Sequence, residues 1–134
     1  MYPRVGRSGG RCGMKVFRYQ DVSAESIEGG AFCQKASIRR FITTDISKDF
    51  RVFIVHFPAG HRTRWHMHSS DQVLYILDGV GIVADEHTQY EVAPGTFVLI
   101  PAGEKHWHGA REDSHLTHIM VLRADSEEVM MECP

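Results

Sequence analysis

His66, His68, Gln72 and His106 lie within one stretch of chain, three imidazoles and an amide whose lone pairs could hold a first-row divalent metal if folded to one point. His66 and His68 are two residues apart, so on a strand both side chains leave the same face. Ser69, Ser70 and Asp71 can reverse the chain, and Gln72 opens the apolar run 73–77, which closes at Asp78-Gly79. A hairpin there would set Gln72 opposite the histidine pair. His106 must come from a later strand. Gly95 precedes the run 97–100, Pro101 stops it, and Gly103 permits a tight turn before His106. His108, two residues on, faces inward if the strand continues, and His118 shares a face with Leu116 and Met120 on the last strand. Neither is needed for a four-ligand set, but un-ligated imidazoles beside a Lewis acid are natural general bases titrating near neutral pH. His56, His61, His87 and His115 read as surface or turn residues, and Trp107 alternates away from the site into outer packing.

The segments that must position these groups read as short strands cut by turns. Residues 35–44 and 51–57 are β-branched and aromatic-rich, with a turn at 45–49 and a stop at Pro58-Ala59-Gly60. Shorter strands are expected at 79–84 and 90–92 around the polar turn 85–89, and 115–122 closes the series. Only 125–131 has helical character, too short to matter to the architecture. Many closely spaced strands with almost no helix indicate an all-β double-sheet jelly roll or small barrel, whose inward-facing residues can converge on one interior point.

Composition agrees with one core. The chain has 134 residues, 43% of them hydrophobic, enough to fill a single domain. A formal charge of −2 with no face-sized Lys/Arg cluster argues against a nucleic-acid footprint. No apolar run approaches the roughly 20 residues of a membrane span. Residues 1–13, rich in Gly and Arg, lack hydrophobic periodicity and read as a disordered N-terminal extension, leaving 14–134 as the domain. That N-terminus also lacks the apolar core of a secretory signal. Three cysteines, Cys12, Cys33 and Cys133, cannot all pair and show no metal-type spacing, so they read as reduced thiols of a cytoplasmic protein.

The motif residues resemble those of the cupins. The first cupin motif is a Gly, five residues, His-x-His, three or four residues, an acid, six residues and a Gly; Gly60, His66, His68, Gln72 and Gly79 fit every spacing. The second is a Gly, five residues, Pro-x-Gly, two residues and a His, matched by Gly95, Pro101, Gly103 and His106, with Ala110 where an Asn is usual. Gln72 departs from the pattern by replacing the usual metal-binding Glu. The resemblance implies a double-stranded β-helix barrel over about 34–123 and one divalent metal per chain, bound by His66, His68, Gln72 and His106. The segment 103–110 and His118 further resemble the subgroup containing manganese-dependent cupin hydroxynitrile lyases and carboxymuconolactone decarboxylase-associated cupins. That subgroup implies His108 and His118 as two additional active-site histidines, and favours Mn among Mn, Fe, Zn, Ni and Cu.

The amide has a chemical consequence. Three neutral imidazoles and a neutral amide leave a divalent ion its full +2 charge, which strengthens it as a Lewis acid and penalises oxidation to the trivalent state. A lyase or isomerase acting on an oxygen-bearing small molecule is therefore expected, with a quercetinase-like dioxygenase and a non-catalytic sugar or small-ligand sensor as alternatives. Jelly-roll edges are commonly covered by a second copy, and the strand 35–44 is the expected point of addition in a homodimer.

Overall fold

The computed structural model describes residues 13–134. The expectation for residues 1–13 therefore lies, apart from its last residue, outside the described part. After a short 3₁₀ turn at Tyr19–Asp21, the chain forms eleven strands. They are β1 (Glu25–Gly29), β2 (Phe32–Ile42), β3 (Phe50–Phe57), β4 (His66–His68), β5 (Gln72–Gly79), β6 (Gly81–Ala84), β7 (Gln89–Val92), β8 (Phe97–Ile100), β9 (Trp107–Ala110), β10 (Leu116–Arg123) and β11 (Glu128–Met130). One layer is a six-stranded sheet in the order β1-β2-β3-β10-β5-β8. Opposite it, β7-β6-β9 and β11-β4 are joined through the bridges Arg62↔Gly109 and His66↔His106. This is the jelly roll that the strand spacing predicts.

Strict alternation produces the interior. In β10, Leu116, His118, Met120 and Leu122 are buried while their neighbours are only partly so, and β5 buries Gln72, Leu74 and Ile76 in the same way. Phe57, Leu74, Ile76 and Leu116 are each at most 1% exposed. Burial on this scale contributes roughly 1.5–3 kcal/mol per large apolar side chain. One tight corner depends on glycine. Gly79 has φ +77°, and a Cβ there would collide with the His115 backbone carbonyl.

Four expectations are corrected. Residues 66–72 are not a hairpin, because β4 pairs with β11 whereas β5 lies between β10 and β8 in the other sheet. Gln72 consequently approaches the histidines from across the interior. The segment 125–131 is not helical, since Glu128, Val129 and Met130 pair in register with His68, Met67 and His66. A short segment takes the conformation that an available strand edge satisfies. The strand 35–44 is not a free edge along its length: β1 pairs with β2 as far as Ile38 on one side and β3 pairs with it from Ser37 to Ile42 on the other, so a second sheet could not add along the whole strand. Finally, Cys33 and Cys133 form a disulfide, with Cα atoms 5.9 Å apart, because the C-terminal segment returns beside the start of β2. Cys12 lies outside the described residues. The reduced-thiol reading that supported a cytoplasmic location thereby loses its basis; among the described residues, no helix is long and apolar enough to cross a membrane.

The disulfide closes a loop with a sequence separation of 100 residues. Cys133→Ser should lower unfolding stability by roughly 2–4 kcal/mol, read from urea midpoints under non-reducing conditions. Equal midpoints for wild type and variant would show that the cross-link does not stabilise the fold.

Candidate metal centre

β4 supplies His66 and His68, the turn before β9 supplies His106, and the first residue of β5 supplies Gln72. The bridge between His66 and His106 is reciprocal: the backbone N–H of each donates to the carbonyl of the other, at 2.8 and 2.9 Å. The candidate ligand nitrogens of His66, His68 and His106 all lie within 4.8 Å of one another. All three residues and Gln72 are buried.

The hydrogen-bond accounting identifies what the cluster lacks. His66 Nδ1 donates to the Arg64 carbonyl at 2.7 Å, and His106 Nδ1 donates to the Glu104 carbonyl at 2.9 Å, which turns the Nε2 lone pairs away from the backbone. Buried polar atoms are normally satisfied. Yet His106 Nε2, both His68 ring nitrogens and Gln72 Oε1 have no hydrogen-bond partner among the described residues. A cation is the species these lone pairs suit, and the donors fit one divalent transition metal.

Electrostatics keep the ligands in the binding form. Burial, reinforced by His106, pushes the His66 pKa down to about 3. Burial, then His106 and Arg51, lowers His68 to about 4, with the Gln72 amide opposing. Burial also lowers His106. The rings are therefore neutral, with free lone pairs, at ordinary pH.

His108 and His118 join this group. Their rings lie 5.1 Å apart, and His108 is 5.5 Å from His66 and 5.7 Å from His106. The fully buried Phe57 packs beside both, at 6.0 and 5.7 Å between ring centroids. The His108 backbone N–H donates to Thr63 Oγ1 at 3.1 Å. His108 Nδ1 and both His118 nitrogens lack partners among the described residues. The near-neutral titration expected for these two is corrected: burial lowers His118 to about 4 and holds His108 well below the usual value.

A cavity of about 510 Å³ opens onto His66, His68, Gln72, His108 and His118, with apolar walls that include Phe32, Phe53 and Val55. Sequence reasoning missed Thr63, Arg51 and Glu128, which also line it. For Arg51 a signal existed, since it shares a period-two face with Phe53, Val55 and Phe57. Thr63 and Glu128 carried none. Trp107 is buried, with the Arg62 guanidinium 4.5 Å from its ring centroid, consistent with packing away from the cavity. His87 and His115 are exposed and His56 and His61 partly so, as expected.

Comparison with known proteins agrees with this geometry. A family model described as "Cupin domain" matches residues 53–122. The chain is 40% identical over 77 residues to an (R)-mandelonitrile lyase of Granulicella tundricola, covering 56% of this chain and 59% of that protein. It is 41% identical over 46 residues to an acireductone dioxygenase of Rhodopseudomonas palustris, covering 31% and 28%. The chain thus spans less than two thirds of the length of either relative. Among solved structures, a cupin-like protein of Thermotoga maritima superposes with a TM-score of 0.76 at 25% identity, covering 81% of this chain and 84% of that one. The polyketide cyclase RemF of Streptomyces resistomycificus superposes with 0.79 at 21% identity, covering 90% and 87%.

The depressed histidines make an acid-labile fold when no metal is bound. Below about pH 6.5 the unfolded chain takes up protons that folded His66, His68 and His118 refuse until about pH 3–4, so stability falls as pH falls through that window. Urea unfolding of metal-stripped protein should give a lower midpoint at pH 5 than at pH 7. Identical midpoints would mean that the rings are not desolvated as described.

Proposed function

From the premise that this chain belongs to the cupin family, we propose that it is a metal-dependent lyase cleaving a cyanohydrin or a related 2-hydroxy compound with an apolar substituent. The observation that carries the reading is the orphaned donor set of His68, Gln72 and His106, of which His68 and Gln72 line the same cavity as the unpartnered pair His108 and His118. The similarity to the mandelonitrile lyase over that stretch supports the choice of substrate class.

A divalent cation bound by His66, His68, His106 and Gln72 would supply Lewis acidity toward a substrate hydroxyl or carbonyl oxygen, with manganese the favoured identity. The chain's own residues do the rest. The walls at Phe32, Phe53 and Val55 receive the apolar substituent and exclude water. His118, or His108 beside it, takes the hydroxyl proton. As the carbonyl forms, the carbon–carbon bond breaks, cyanide leaves with the electron pair and takes the proton back from the imidazolium, and the products are an aldehyde or ketone and hydrogen cyanide. A base must be neutral to act, and a His118 pKa near 4 leaves it neutral above that pH. The same donors and the acireductone dioxygenase similarity support a second reading, an oxygenase, favoured if iron- or copper-loaded protein consumes oxygen.

A homodimer stays part of the proposal, by another route than β2. On the outer face of the six-stranded sheet, cross-strand register aligns Ile54, Ile119, Tyr75 and Phe97 in one row and Val52, Val121, Val73 and Leu99 in the next. Phe97 and Leu99 are 73% and 64% exposed. An apolar face of this kind, bordered by Arg39 beside Ile54, suits a second copy of itself.

Two experiments check these readings. His66→Ala should lose the metal measured by elemental analysis, whereas His118→Ala or His108→Ala should keep it and lower kcat on mandelonitrile by roughly 10²-fold. Wild-type kcat should be flat above about pH 5. If both base variants keep full metal and wild-type rates, binding or sensing becomes the better reading. Leu99→Asp should convert a dimer to a monomer in light scattering; a wild-type monomer would refute the dimer.

A further inference from the structure

His66 and His106 are each oriented by the backbone carbonyl two residues earlier in the chain. His68, their companion, has no such acceptor, and both of its ring nitrogens are buried without a hydrogen-bond partner among the described residues. Its Nδ1 instead faces Glu128 Oε2 at 4.0 Å. That separation is too long for a hydrogen bond and short enough to close by side-chain rotation. Glu128 is the residue directly across from His68 in the β4–β11 ladder, and it lines the cavity. The other carboxylate oxygen lies 4.0 Å from Arg51 Nη1. The Arg51 guanidinium is anchored through Nε to the Arg123 carbonyl at 3.3 Å and through Nη2 to the Ser126 carbonyl at 2.8 Å. One carboxylate is thus placed between a fixed cation and the one ligand imidazole that lacks an orienting group.

We propose that Glu128 is the positioning residue for His68, its carboxylate accepting a hydrogen bond from Nδ1–H so that Nε2 is presented to the metal. This rests on reading His66, His68 and His106 as metal ligands. Carboxylate–histidine–metal arrangements raise the basicity of the ligand and fix its tautomer and ring plane. Here the carboxylate also sets a negative charge beside a neutral donor set, and Arg51 balances that charge from outside. β11 is only three residues long. Its register is fixed by two backbone bonds of Trp65, whose N–H donates to the Glu132 carbonyl at 3.0 Å and whose carbonyl accepts from Met131 N–H at 2.8 Å, and by the Cys33–Cys133 disulfide just beyond.

The test is chelator competition with manganese(II) alone on the full chain, comparing wild type with Glu128→Gln and with Glu127→Gln. The second variant removes the same charge one residue away, outside the cavity lining. Glu128→Gln should weaken manganese(II) binding by roughly 10–100-fold and shift the visible spectrum of cobalt(II)-loaded protein, with the metal-free unfolding midpoint unchanged. Glu127→Gln should leave all three at wild-type values. Wild-type affinity or an unshifted cobalt(II) spectrum in Glu128→Gln overturns the proposal, as does equal weakening by both variants. A wild-type protein that takes up no manganese(II) or cobalt(II) instead refutes the underlying assignment of the ligands.

Discussion

Withdrawal of imidazole nitrogens from water governs this molecule. His66, His68, His106, His108 and His118 are all buried, and several of their nitrogens find no partner among the described residues. An unsatisfied buried polar atom ordinarily costs about 1–3 kcal/mol. The fold carries this cost at one place only because the surrounding sheets, with Phe57, Leu74, Ile76 and Leu116 almost wholly buried, supply the compensating apolar burial. The same desolvation depresses the imidazole pKa values and leaves neutral lone pairs at ordinary pH. Instability and competence to bind a cation have one physical origin.

The two sheets divide the labour. β4 and the approach to β9 bring three imidazoles together by a backbone bridge, whereas the six-stranded sheet carries Gln72 and His118 in from the opposite side. A metal held by donors from both layers would tie them together. His108 and His118 come from different layers as well, and Phe57 packs beside both rings. The proton-transfer pair of the proposed lyase chemistry is therefore a product of sheet packing rather than of either strand alone.

The C-terminal segment changes how the site is closed. A stretch that reads as a minor helix becomes the edge strand beside His66 and His68, and Glu128 and Met130 form cavity wall. The Cys33–Cys133 disulfide joins this segment to β2, whose first residue, Phe32, lines the same cavity.

Motif spacing alone singled out His66, His68, Gln72 and His106, of which the three histidines cluster in the fold, and period-two alternation placed His108 and His118 inward, because glycine corners and strand periodicity are local properties written in neighbouring residues. The all-β jelly roll followed from the same local pattern. Partners across the fold were not legible. The pairing of β4 with β11 instead of β5, the Cys33–Cys133 bond and the placing of Glu128 between Arg51 and His68 all join segments tens of residues apart. Such contacts are chosen by which edges and faces remain after the sheets form, and even the imidazole pKa values belong to this class. A histidine's identity is in the sequence, but its desolvation is decided by everything packed around it.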